Sequence, residues 1–134
     1  MIFDSKTMFN ARTAGVDVPF VLTASTATLL FTDIVDLKGA HKNMGKPLQV
    51  GIRVVKAPTT VTAGITAQFL VTHCATVGGT YTSCGQSAII ESALLIPGLE
   101  IKIACSEDVL EFVHLSVKGV GALGVGTVLA GIIS

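Results

Sequence analysis

Leu99-Glu100-Ile101-Lys102-Ile103-Ala104-Cys105 alternates cleanly. Leu99, Ile101, Ile103 and Cys105 fall on one side of an extended chain, and Glu100 and Lys102 fall on the other. Successive side chains of a strand point to opposite faces, so this pattern marks a strand with one face in a core and one in solvent. Pro97-Gly98 stands directly before it. Proline presets φ at the second position of a tight turn, and glycine accepts a positive φ at the third. The strand is therefore predicted to leave a turn.

The same reading extends outward. Leu48, Val50, Ile52 and Val54 alternate with Gln49, Gly51 and Arg53. In 109–118, Val113, Leu115 and Val117 make one apolar row, while the other row holds Leu110, Phe112 and His114. Both faces are predicted to be covered there, as in a central or interface strand. Turn residues recur at Lys38-Gly39, Asn43-Met44-Gly45, Ala57-Pro58-Thr59 and Gly78-Gly79. Strands are expected at 17–25, 27–36, 47–56, 65–74, 86–95, 99–105, 109–118 and 125–133. No segment sustains a helical period for three turns. Short strands at this spacing predict an all-β chain, a jelly-roll-like antiparallel β-sandwich or a related Greek key.

Two parts are expected: an extended N-terminal arm over 1–15 and a single β-sandwich domain over 16–134. In the arm, Ile2, Phe3, Met8 and Phe9 form two apolar pairs separated by polar residues, with no sustained period. Such a segment suits docking on a neighbouring molecule. Removing 1–12 is expected to weaken that docking and leave folding intact.

Composition narrows the function. Lys plus Arg and Asp plus Glu each number nine, so formal net charge is zero. No basic field exists to hold a phosphate backbone, which argues against nucleic-acid binding. Hydrophobic residues make up 50% of the 134 residues and charged residues only 13%. The usual charged share is about 25%. Part of the surface is thus expected to be covered by other chains. The three cysteines, Cys74, Cys84 and Cys105, are an odd count, and Asp4 and Lys6 stand where the apolar region of a signal peptide would be. Together these fit a reducing interior better than a disulfide framework.

The tail Gly119 to Ser134 carries no charge. It is shorter than the roughly 20 apolar residues of a spanning helix. Its glycines, each costing about 1 kcal/mol in a helix relative to alanine, argue further against one. It is read as a turn followed by a final strand, Gly126-Thr127-Val128-Leu129-Ala130-Gly131-Ile132-Ile133, apolar on both faces. No membrane is expected. The sandwich would cover one face and a second copy the other, so Val128, Leu129 and Ile132, with Phe112, are the expected oligomer interface.

Chemistry-bearing residues are scattered. His73, Cys74, Cys84, Cys105 and His114 do not form a zinc pattern, since no Cys-x-x-Cys is present and His73 and Cys74 are adjacent. Cys105 is expected to complete a core row. Cys84 lies in a Gly- and Thr-rich stretch, 76–85, read as a loop; that stretch carries no phosphate-binding GxxxxGK[ST] pattern. Neither a catalytic residue, a metal site nor a cofactor is predicted, and the chain is not expected to be an enzyme. The basic cluster is the loop 37–46, where Lys38, His41, Lys42 and Lys46 could meet an acidic patch on a partner.

With these residues laid out, the sequence resembles the capsid cement (decoration) proteins of short-tailed phages, the Bordetella phage cement protein family. Met1-Ile2-Phe3-Asp4 followed by Phe9 looks like the family's arm. Ser25-Thr26 and Ile34-Val35-Asp36-Leu37 look like its Ser-Thr and Ile-Asp-Leu-Gly elements, with Lys38 standing before Gly39. Gly45-Lys46-Pro47-Leu48-Gln49-Val50 and Gly126-Thr127-Val128-Leu129-Ala130 look like its Gly-x-Pro-Leu-x-Val and Gly-Thr-Val-x-Ala strands. The family's penultimate Arg-Tyr-Leu-Arg is replaced here by Leu110-Glu111-Phe112-Val113-His114. The resemblance implies a sandwich bound to the outside of a shell of major capsid protein. It implies symmetric oligomers, a homodimer favoured over a homotrimer, made in the host cytoplasm and carried on the virion. The alternatives are another phage structural protein, such as a fibre or tail component, and a β-sandwich carbohydrate-binding module. Against the latter, the chain has no Trp and one Tyr, Tyr81.

Overall fold

The turn before the quoted strand is present in the computed structural model. Ile96 accepts a hydrogen bond from the Leu99 N–H at 3.0 Å, and Gly98 between them has φ of +90°. Pro97 and Gly98 thus occupy the second and third positions of a type II turn. Glu100–Ala104 then pairs with Gln49–Lys56, and its outward Glu100 lies directly across from Arg53. Alternation holds along the strand: Ile103 and Cys105 are buried, Leu99 and Ile101 half-buried, and Glu100 and Lys102 exposed.

The structure describes residues 9, 12–13, 16–17, 20–22, 28–31, 34–36, 48–58, 64–105, 111–120 and 126–132. Its strands are β1 Arg12–Thr13, β2 Val16–Asp17, β3 Phe20–Leu22, β4 Thr28–Leu30, β5 Val35–Asp36, β6 Gln49–Lys56 and β7 Thr66–Cys74. They continue with β8 Thr82–Gln86, β9 Ile90–Glu91, β10 Glu100–Ala104, β11 Phe112–Val120 and β12 Gly126–Ile132. One sheet has the order β10-β6-β12-β3 and the other β4-β11-β7-β8. β5 also pairs with β11, and β9 with β7, so each continues an interrupted strand. All ladders of both sheets are antiparallel.

Counting β4 with β5 and β8 with β9 as single strands, the path from β3 to β12 crosses between the sheets at every step but one. The exception is the hairpin from β7 to β8. Two four-stranded sheets visited in this order are a jelly roll. The core between them comes from the inward rows. Val50, Ile52 and Val54 of β6, with Val128 and Ala130 of β12, face Phe69 and Val71 of β7 and Val113, Leu115 and Val117 of β11, all at most 1% exposed. Phe31 meets Phe69 edge-on, with ring centroids 6.5 Å apart.

Several expectations shift. The strand placed at 86–95 is instead β8 and β9, followed by a single 3-10 turn at Ser92–Leu94. β8 begins inside the stretch read as a loop. Its sequence Thr-Ser-Cys-Gly-Gln has no apolar alternation, and pairing on the β7 edge makes it a strand. The strand expected at 27–36 is broken into β4 and β5, and the backbone of Phe31 still donates to Leu115 at 2.9 Å. β1 pairs with β2, Arg12 opposite Asp17 and Thr13 opposite Val16.

Phe9 is the largest correction. It was expected to dock on a neighbour, yet it is 0% exposed within the core of its own chain, and its N–H donates to Ala130 of β12 at 2.9 Å. Deleting 1–12 would remove a buried phenylalanine, which typically costs about 3–5 kcal/mol, so folding would not be left intact.

Candidate interaction surface

β12 was read as apolar on both faces, and the pleat separates its residues. Val128 and Ile132 point inward at 0% and 7% exposure, beside Ala130. They are core residues of the single chain, not interface residues, because the facing sheet already covers that row. Leu129 lies half-buried on the outer side of the first sheet, in register with Arg53. Phe112 lies half-buried on the outer side of the second sheet, opposite Cys74 of β7. The four residues thus divide between the core and two opposite outer faces. A two-fold contact with another copy, which uses the same patch on both subunits, cannot use Leu129 and Phe112 together.

The outer face at Phe112 is partly covered by the chain's own hairpin, residues 75–81. Tyr81 stacks on His114 with ring centroids 4.3 Å apart and 29° between the planes. The Tyr81 hydroxyl donates to the Val77 carbonyl at 3.1 Å. A Cβ on Gly79 would stand 2.5 Å from Cys74 Sγ and 2.6 Å from Thr76 Oγ1, so a larger residue there would displace both side chains. This cover buries Cys74 on what would otherwise be an exposed face. Burial holds the His114 imidazole below its ordinary pKa. It pushes the Tyr81 phenol up, with Cys74 adding to the shift.

A second feature lies at the other end of that sheet. Leu70 pairs with Gln86 and Ala67 with Ile90, so Gln68 and Phe69 of β7 face three residues, 87–89. The extra residue makes a bulge. Ser87 holds it in place. Its N–H donates to the Phe69 carbonyl at 2.9 Å, its Oγ accepts from the Phe69 N–H at 3.0 Å and donates to Ala88 at 2.8 Å, and its carbonyl accepts from Gln68 Nε2 at 3.0 Å. Ile89 is turned outward, 67% exposed, beside a small open pocket lined by Thr66, Gln68, Ile89 and Lys118. Leu94 and Ile96 follow at 62% and 57% exposed, while Leu95 between them is fully buried. Of the six exposed large apolar side chains among the described residues, three fall within 89–96. The signal was present in Ala88-Ile89-Ile90 and Leu94-Leu95-Ile96, but a strand assignment hid it by sending alternate residues into the core.

Among the described residues no group of three or more His, Cys, Asp or Glu side chains could hold a metal ion. Cys84 and His114 sit on different faces: His114 on the outer side, and Cys84 packed toward the core. Cys84 and Cys105 pack against the same core. No helix among the described residues is long and apolar enough to cross a membrane. The expected contacts Ile2, Phe3, Met8, Lys38, His41, Lys42 and Lys46 lie outside the described residues. Compared with known proteins, the chain matches no protein-family model and no curated protein sequence.

Proposed function

We propose that the chain is a bacteriophage capsid cement protein that binds the outer surface of the major capsid protein shell and stabilises it by bridging neighbouring subunits. The observation that carries this reading is the exposed apolar segment Ile89, Leu94 and Ile96 on a jelly roll whose sequence is only 13% charged. The jelly roll is a scaffold common among viral capsid proteins, and it supports the class rather than the role. The resemblance of the arm and strand motifs to cement proteins supports the role. Each protomer would bury an interface of about 800 Å² per partner. Several weak contacts engaged at once become avid, and a protein that binds only the assembled shell stabilises it by mass action. The chain acts as a homodimer in this reading, with a homotrimer as the alternative, on the outer surface of the virion.

The test is the copy number of the chain in purified virus particles relative to the major capsid protein, followed by rebinding of the Ile89→Asp/Leu94→Asp variant to undecorated shells. A fixed simple ratio, with rebinding lost in the folded variant, is expected. A handful of copies per particle would move the chain to the tail or fibre, and absence from particles would overturn the reading.

A further inference from the structure

The jelly roll leaves one margin where the edge strands β8 and β10 of the two sheets lie against each other. The ladder between β7 and β8 shifts register there. Val71 pairs with Gly85 and Thr72 with Ser83, which leaves Cys84 as an extra residue. A bulge of this kind puts two consecutive residues on one side of the strand. Here they are Cys84 and Gly85, both turned toward the core. Gly85 has no side chain to keep β10 away: a Cβ there would meet the Ala104 carbonyl at 3.0 Å, Ile103 Cγ2 at 3.1 Å and Cys105 Cα at 3.4 Å. Cys105 ends the inward row of β10, 4% exposed, and its N–H is tied to the Leu48 carbonyl at 2.8 Å. Cys84 packs against the same core and keeps partial access to solvent. The close approach of Gly85 to Cys105 Cα brings the two cysteines near each other across the sheet-to-sheet margin.

We propose that Cys84 and Cys105 form a reversible oxidation site, a disulfide that staples β8 to β10 and so closes the sandwich along this margin. The oxidant is a small disulfide of the glutathione type. One cysteine thiolate attacks a glutathione sulfur, forms a mixed disulfide and expels the first glutathione as its thiolate. The second cysteine, as thiolate, attacks the protein sulfur of that mixed disulfide and expels the second glutathione. Two protein thiols are oxidised, one glutathione disulfide is reduced, and the two protons pass to the departing thiolates. Cys84, the more accessible of the two, takes the first glutathione, and the buried Cys105 makes the closing attack. The bond would stay open in a reducing interior and close in an oxidising medium. It would link residues about 20 apart in sequence, a loop length at which cross-linking restricts the unfolded chain appreciably. The inference does not depend on the capsid reading.

The experiment treats the full-length native protein with oxidised glutathione, then counts thiols, maps linked peptides and measures the denaturation midpoint. The expected result is a fall from three thiols to one, a linked peptide joining Cys84 to Cys105, and a higher midpoint that dithiothreitol reverses. Cys74→Ser should close the same link, whereas Cys84→Ser and Cys105→Ser should gain no stability from the oxidant. Retention of all three thiols, glutathione left on Cys84 without a linked peptide, or a link that includes Cys74 would each overturn the proposal.

Discussion

The Tyr81 ring lies stacked on the His114 imidazole, with centroids 4.3 Å apart, on the outer face of the second sheet. The contact ties the hairpin 75–81 to β11, and burial depresses the His114 pKa. As pH falls, the unfolded chain therefore takes up this proton before the folded one does. The stability contributed by neutral His114 is complete above the ordinary histidine value of about 6.5 and is lost as pH falls through the lower folded value. Urea midpoints measured across this range should decline on acidification, and His114→Gln should flatten part of that decline. Identical slopes in the two proteins would show that His114 contributes nothing to it.

Gly126 should not tolerate a methyl group. A Cβ there would stand 2.9 Å from Pro58 N and 3.0 Å from Pro58 Cα. Both atoms are backbone and cannot swing aside as a side chain would. Gly126→Ala should cost about 1–3 kcal/mol, the usual range for overpacking. Gly78→Ala is the control, since a Cβ there meets nothing within 4 Å, and it should change stability by no more than about 0.5 kcal/mol. Thermal melts of the two variants decide the matter.

Ser92 presents the opposite case. It is 1% exposed, and its Oγ has no hydrogen-bond partner among the described residues, although its N–H donates to the Ile65 carbonyl at 2.9 Å. A buried hydroxyl left unsatisfied costs about 1–3 kcal/mol. Ser92→Ala removes the oxygen and keeps the backbone bond, so it should raise the unfolding free energy by about 1 kcal/mol in denaturant titrations. A loss of stability would mean that the hydroxyl has a partner in solution.

How much of this was legible in the sequence depends on which force placed each residue. The Pro97-Gly98 turn and the rows of β6 and β10 were legible because burial on one face writes itself as alternation. β8 was not, because Thr82–Gln86 is held by backbone pairing to β7 and carries no such pattern. The bulges at Cys84 and at 87–89 were also hidden, since an extra residue in a ladder is visible only against its partner strand. Those bulges place the thiol pair and turn Ile89 outward. Phe9 was recognised as an apolar residue needing cover, but sequence alone could not say whether the cover was another molecule or the chain itself.

The same ambiguity governs β12, where neighbouring residues give contrasting expectations. Val128 is fully buried between the sheets, and Leu129 faces outward beside Arg53. Val128→Asp places an unpaired carboxylate in an apolar core at a cost of several kcal/mol, comparable with the whole stability of a domain of this size. It should abolish folding, seen as loss of a cooperative melt, rather than release folded monomers. Leu129→Asp adds its charge at the surface and should melt within a few degrees of the native protein. Its mass in solution then reports on the outer face of the first sheet alone. Smaller particles than the native protein would place the contact between copies on that face. If the native protein is the proposed homodimer and the Leu129→Asp mass is unchanged, Phe112→Asp tests the opposite face in the same way, and a native mass of one chain would count against any contact between copies.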